Sequence, residues 1–426
     1  MNLPHSGVRE WATSVGRVLR QPTLRRVLPG MLVSALGDGM SAVAVAWLAV
    51  GIAPPGQAGV WTALAVAAYT LPAPLGAALL ARPMRRLNPT RLVAADATLR
   101  AVALGAVAAL AITGTLGPLV YAALLAASSL LHSWGSAGAY TLVAQLLPER
   151  DQVTGNALLS TFAQAAFVAG PALAGGLTAL VGAGWVIAAD AASFAVLAVA
   201  AATVTIRHSP GSDASAGPER GGWRTIAERP RLLAMIAVTC VFFFLYGPVE
   251  VALPVHVAYG LHGSPGLLGL YWSVFGIGAT AGALGAGLLR RRAPEPVVAA
   301  VIVGWGAALL PIGLTDAVVP GLIGLAVGGL IYGPFTAIST ALLQRSTPPQ
   351  ALSRVLATRS ALTAPATALG TLLGGPAVAA VGGRTTLLVS ALLTIALGLA
   401  AAAALRSPGH VRAGAAAPAA MAAADA

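Results

Sequence analysis

Lysine is absent from this 426-residue chain, and all 25 basic residues are arginines. Acids number 13, and charged residues of every kind make up 9% of the sequence against 57% hydrophobic ones. A water-soluble domain needs more charge than this to cover its surface, so the proportions exclude one and make lipid the main solvent of the chain. The single cysteine, Cys240, lies in an apolar run and excludes an intrachain disulfide and a cysteine metal cluster. No group of His, Asp and Glu has metal-ligand spacing, and no Ser–His pair stands near one end of the apolar runs. Catalytic residues, a metal site and a cofactor are therefore not expected. A short apolar region followed by a small-residue cleavage site is also missing, so no signal peptide is expected and the first apolar run remains as an inserted helix. Arginine without lysine, beside abundant alanine, fits a GC-rich bacterial genome.

What the chain does contain is a series of apolar stretches, each about 20 residues or more, enough to cross a bilayer. Six fall near 27–51, 58–81, 92–113, 118–145, 154–181 and 185–206. Six more fall near 232–259, 266–289, 297–314, 320–343, 353–381 and 385–405. The expected fold is an all-α membrane protein with twelve transmembrane helices in two pseudo-symmetric six-helix halves. On this reading 1–26 is a cytoplasmic N-terminal segment, 27–206 the first six-helix bundle and 232–405 the second. The Gly-, Ser- and Pro-rich stretch 207–231 is a cytoplasmic linker, and 406–426 a disordered cytoplasmic tail.

A net charge of +12 could indicate nucleic acid as a partner. The placement of the arginines excludes that reading. With the N-terminus inside, 22 of the 25 fall in cytoplasmic segments, Arg384 alone lies in an outside loop, and Arg100 and Arg359 lie inside helices. Such a bias sets both termini in the cytoplasm of a multi-pass protein of the cell membrane.

The two halves share a plan. "LLPERDQVTGNALLSTFAQAAFVAGPALAGGLTALVGAGW" (146–185) and "LLQRSTPPQALSRVLATRSALTAPATALGTLLGGPAVAAVGGR" (342–384) each have a polar Pro-containing loop, a long glycine-bearing span and a glycine turn. With "LGDGMSAVAVAWLAV" as an opening helix, "AADAASFAVLA" (188–198) as a sixth and "YGPVEVALPVHV" (246–257) as a seventh, residues 20–405 resemble the major facilitator superfamily. Within it the chain is similar to the drug-exporter branch that includes macrolide and enterobactin exporters. The resemblance implies that Gly170-Pro171 and Gly175-Gly176 stand for the antiporter glycine-proline motif. It also implies a gating loop in "GAALLARPMRRLNPTR" (76–91), where Arg82, Arg85 and Arg86 fit but Ala81 stands at the acidic position and Met84 at a glycine. The fourth-helix arginine of many proton-coupled exporters is missing, and His132 is the ionisable group there.

Ionisable residues inside the spans are the candidates for chemistry. Asp38 lies 12 residues past Arg26, about 18 Å along a helix and near the middle of a hydrocarbon core about 30 Å thick. A charged group there costs at least ~2.5 kcal/mol on insertion scales, which makes a proton-coupling or substrate-contacting role the default reading. The alternative is a carboxylate held by nearby hydroxyls or a partner helix. Glu250 is the second deep acid, about one helical turn out of register with Asp38; it reads as a coupling or cation-recognition acid, the alternative being an ion pair or hydrogen bond within the protein, with His256 as one partner to consider. His132 and His256 can titrate near neutral pH. Gln164, Tyr69, Tyr246, Tyr271, Trp272 and Tyr332 are candidates to line a central cavity. Asp96 and Arg100 stand at i, i+4 and pair as a structural or gating element, with Arg359 as a competitor for Asp96. Asp190 reads as an anchoring group near the outside interface. Gly170, Pro171 and Gly175 read as a bendable, closely packed seam, and Gly278/Gly282, Gly329/Gly333 and Gly370/Gly374 as small-residue faces for close helix contact.

The expectation that follows is secondary transport: proton-coupled efflux of a hydrophobic or amphipathic small molecule by a monomer. Import of a nutrient on the same fold is the alternative. A transport-dead sensor lacks the soluble domain it would need.

Overall fold

In the computed structural model, residues 5–84, 86–204, 222–289, 293–347 and 349–406 are described, and among them every regular element is helical. The first half comprises α1 (His5–Arg20), α2 (Pro22–Ile52), α3 (Ala58–Thr70), α4 (Pro72–Leu79), α5 (Ala81–Met84), α6 (Pro89–Ile112), α7 (Pro118–Ser129), α8 (His132–Leu146), α9 (Glu149–Val181) and α10 (Ala183–Ala202). After α11 (Gly222–Ala227) the second half comprises α12 (Pro230–Val255), α13 (Pro265–Gly285), α14 (Pro294–Leu314), α15 (Val318–Tyr332), α16 (Phe335–Ser346) and α17 (Pro349–Arg406). Arg85, the arginines at 290–292, the linker before Gly222 and the tail beyond Arg406 lie outside the described residues.

Among the described residues, ten helical stretches are long and apolar enough to cross a membrane. One of them, 354–405, holds two spans, because Gly382 at φ 81° turns the chain inside α17. The stretch 118–146 supplies a further span divided between α7 and α8. That gives the twelve spans expected, although three are broken rather than continuous. Pro72 and Pro334 each lack the N–H that would carry the ladder through, so α3 gives way to α4 and α15 to α16. The α7–α8 break has no proline; its Leu130 carbonyl sits against Gly76 of α4, where a Cβ would overlap it.

Helix starts follow their capping residues. Gln21 accepts from the Leu24 amide at 2.7 Å ahead of Pro22, and Asn88 accepts from the Arg91 amide at 2.8 Å ahead of Pro89. α2 therefore begins at Pro22 rather than near 27, and α12 begins at Pro230 inside the expected linker. Arg17 on α1 donates to Asp151 at the start of α9 (2.6 Å), an acid with 3% of its side chain exposed.

The chain forms two compact units. One contains Met1–Ser215 with Glu250–Ser273 and Thr371–Gly383; the other contains Ala216–Val249, Val274–Gly370 and Arg384–Ala426. In the first unit, the ends of α12, α13 and α17 opposite the arginine-rich end pack on the first-half helices. Gly175 of α9 meets Gly266 and Gly269, Gly59 of α3 meets Gly375, and the Tyr259 hydroxyl donates to the Val50 carbonyl at 3.4 Å. In the second unit α13 and α15 interlock backbone to backbone. Gly278 and Gly282 face Ala326 and Leu330, while Gly329 and Gly333 face Phe275 and Ala279.

The internal repeat is visible in the backbone. Gly182 (φ 89°) joins α9 to α10, and Gly382 (φ 81°) makes the corresponding turn 200 residues later. The alternation of buried and exposed positions over 181–192 recurs at 381–392.

Candidate functional site

Of the ionisable groups expected inside the membrane, Asp38, Asp96, Arg100, His132 and Asp190 lie in the first half, and Glu250, His256 and Arg359 in the second. Asp38 on α2 accepts hydrogen bonds from the Tyr69 hydroxyl on α3 and from Arg100 Nη1 on α6, the latter at 2.6 Å. Arg100 is buried, with 2% of its side chain exposed, whereas Asp38 keeps 30%. The guanidinium lies over two rings, 4.8 Å from the centroid of Phe194 on α10 and 5.5 Å from that of Tyr69. Aromatic faces supply part of the solvation a buried cation loses.

Asp96, four residues before Arg100, is more distant than the i, i+4 spacing suggests. Its Oδ1 stands 3.8 Å from Arg100 Nε, too long for a hydrogen bond, and the tight partner of Arg100 is Asp38. His132, at the start of α8, places Nδ1 3.8 Å from Asp96 Oδ2 and keeps 45% of its side chain exposed. The Asp96 carboxylate occupies space that a side chain at Gly135 would fill.

Asp190, expected as an anchoring group, is enclosed by protein. It is fully buried on α10, accepts from the Ser41 hydroxyl on α2 and from Ser193 (3.3 Å), and lies where a Cβ on Gly37 would be. The glycines flanking Asp38 thus have separate tasks: Gly37 admits Asp190, and Gly39 admits the backbones of Ala166 and Gly170 on α9. Asp190 of α10 and Arg100 of α6 therefore flank the stretch of α2 that carries Asp38.

Glu250 of α12 accepts from Thr371 Oγ1 at 3.3 Å. His256, six residues on, begins a π-helical turn through Gly260 and is buried beside Gly260 and Gly383. Six residues carry it to another face of the helix, and the hydrogen bond seen at Glu250 comes from Thr371 of α17.

The second half has aromatic rings where the first has charge. Phe242, Tyr246, Phe275, Trp305, Tyr332 and Phe335 form a continuous cluster with centroid separations from 4.7 to 6.2 Å. Trp305 is 1% exposed. Tyr332 lies inside this cluster, Tyr271 is buried on α13, and Gln164 is on the exposed face of α9. Arg359 donates to Thr340 (3.0 Å) and Ser339 (2.9 Å) on α16. Arg82 and Arg86 are exposed at the α5 turn. Pro171 sits within an uninterrupted α9, and Gly170 lies against Gly39.

Sequence reasoning missed the Asp38–Arg100 pair because the partners are 62 residues apart. Depth could have found it. Counted from Arg26 and Arg91, Asp38 and Arg100 lie about 18 and about 14 Å along their helices, a difference an arginine side chain can span.

A family profile described as Major Facilitator Superfamily matches residues 27–294. The multidrug efflux pump Tap of Mycobacterium tuberculosis is 31% identical over 404 residues, covering 88% of this chain and 91% of that protein. An uncharacterised MFS-type transporter, y4rN, of Sinorhizobium fredii is 30% identical over 59% of this chain; the match spans 64% of that relative's own length. Among solved structures, the nucleoside transporter NupG superposes with a TM-score of 0.70 at 14% identity, over 91% of this chain and all of that one. A bacterial homologue of the iron transporter ferroportin, in an inward-facing state, gives 0.65 at 17% identity over 88% and 98%. At these identities the likeness is one of fold.

Proposed function

The chain belongs to the Major Facilitator Superfamily, and we propose that it is a proton-coupled exporter of hydrophobic or amphipathic small molecules. Membership makes it a multi-pass membrane transporter rather than an enzyme. The proposal adds direction, coupling ion and substrate class. The observation that carries it is the partly exposed Asp38 carboxylate, held deep in a spanning helix by the Arg100 guanidinium and the Tyr69 hydroxyl. A carboxyl at that depth exchanges a proton only if a cation and hydroxyls stabilise its charged form, and both are present. Similarity to a multidrug efflux pump over nearly the whole chain supports outward transport of lipophilic compounds.

In this reading the arginine-rich end and both termini face the cytoplasm, the two six-helix halves are 27–206 and 232–405, and the monomer is the working unit. Glu250 with Thr371 is the second acid of the cycle. Gly170, Pro171 and Gly175 form the seam on which α9 stays closely packed as the protein alternates access.

The test is transport in proteoliposomes with ethidium as a lipophilic cation probe. Wild type is expected to move ethidium against its gradient when a pH gradient is imposed, and Asp38→Asn to abolish this while eluting as a folded monomer. Undiminished driven transport by Asp38→Asn would remove the coupling role. Accumulation of ethidium in expressing cells, where export predicts depletion, would favour import.

A further inference from the structure

Arg100 stands between two carboxylates that it does not hold equally. Nη1 is engaged by Asp38 at 2.6 Å, while Nε faces Asp96 Oδ1 at 3.8 Å, and neither Nε nor that oxygen has a hydrogen-bond partner. Both atoms are buried, and a buried polar pair left unbonded is unfavourable. The gap is about 1 Å more than a charge-assisted bond needs, a distance that a rotamer change in Arg100 covers without movement of α6. Asp96 is backed by Gly135 and has little room to retreat. His132 Nδ1, also buried and unbonded, faces the other Asp96 oxygen at 3.8 Å.

The groups around Arg100 are Asp38 from α2, Tyr69 from α3, Asp96 from its own helix and Phe194 from α10, with His132 of α8 beyond Asp96. Asp190 of α10 is taken by the hydroxyls of Ser41 and Ser193. One guanidinium thus serves two acids. Leaving a buried charge without its partner is strongly unfavourable, so the loss of charge at Asp38 leaves Asp96 as the remaining carboxylate within reach.

We propose that Asp96 is the second seat of Arg100: on neutralisation of Asp38 the guanidinium passes from Asp38 to Asp96, whose other carboxylate oxygen faces His132. This rests on Asp38 being the coupling acid. Asp96 is then a positioning residue. It gives Arg100 somewhere to go, lets Asp38 part from its counter-ion, and passes the proton state of α2 to the start of α8 through His132.

The test separates driven from undriven transport. Asp96→Asn is reconstituted and scored for ethidium transport under a pH gradient and for ethidium counterflow without one. Driven turnover is expected to fall at least tenfold, with counterflow and the half-saturating ethidium concentration within twofold of wild type. Asp96→Glu, which keeps the carboxylate, is expected to restore driven transport to within threefold. Arg100→Lys, a shorter point charge that cannot serve both acids, is expected to lose driven transport. Normal driven transport by Asp96→Asn or by Arg100→Lys overturns the second seat, and if Asp38→Asn is still inactive the coupling role of Asp38 stands. Loss of counterflow together with driven transport in Asp96→Asn, without rescue by Asp96→Glu, also overturns it, since Asp96 then serves the fold. Normal driven transport by Asp38→Asn removes the underlying reading instead.

Discussion

Trp305 occupies in the second half the register that Arg100 occupies in the first: each is the twelfth residue of its helix, α14 and α6. Their partners correspond as well. Asp38 is the seventeenth residue of α2 and Tyr246 the seventeenth of α12, and the Tyr246 and Trp305 rings lie 5.9 Å apart where the first half has an ion pair. One architectural position is thus filled by charge in one half and by packed rings in the other.

The two members of this correspondence are predicted to fail differently. Trp305→Ala empties a fully buried position and should cost about 3–5 kcal/mol, seen as a lower melting temperature in detergent. The ratio of pH-driven to counterflow transport in the surviving protein should be unchanged. A drop in that ratio would give the aromatic cluster a part in coupling.

Neighbouring glycines on α9 give a prediction of opposite sign. A Cβ at Gly175 would meet the Pro265 carbonyl at 2.9 Å and the Gly269 Cα at 3.0 Å, whereas one at Gly176 meets nothing within 4 Å. Gly175→Ala should therefore destabilise by about 1–3 kcal/mol through overpacking. Gly176→Ala should stabilise by up to about 1 kcal/mol through helix propensity. Thermal unfolding of the two single variants decides it, and equal effects would contradict the seam.

Asp190 should tolerate loss of its charge better than loss of its acceptor. In Asp190→Asn the amide oxygen still accepts from Ser41, so folding should be kept. In Asp190→Leu the Ser41 hydroxyl loses its bond and the branched side chain meets Gly37, at about 1–3 kcal/mol for the unsatisfied group alone. Yield of monodisperse protein and its melting temperature are the readouts.

Much of this was legible in the sequence, for physical reasons that can be named. Span length and arginine placement follow from bilayer thickness and charge energetics, and the glycine turns at 182 and 382 are local. The breaks at Pro72 and Pro334 were legible in principle, since proline has no N–H to give. The site was harder. The i, i+4 rule correctly put Asp96 and Arg100 on one face, but the stronger attraction came from Asp38 on another helix, and local spacing carries no information about that. Counting from the helix end read Asp190 as an anchoring group but named no partner for it. The space that admits it is made by Gly37, on a different helix.

The paired turns have a consequence for mutational tolerance. Gly182 and Gly382 both sit at a positive φ that side chains avoid, each with open space around it, so at both positions the backbone and not a neighbour forbids substitution. A saturation-mutagenesis map of this chain should therefore carry an echo: two sharply intolerant sites 200 residues apart, each followed by the same ten-residue rhythm of strict and permissive positions, even where the amino acids themselves no longer match.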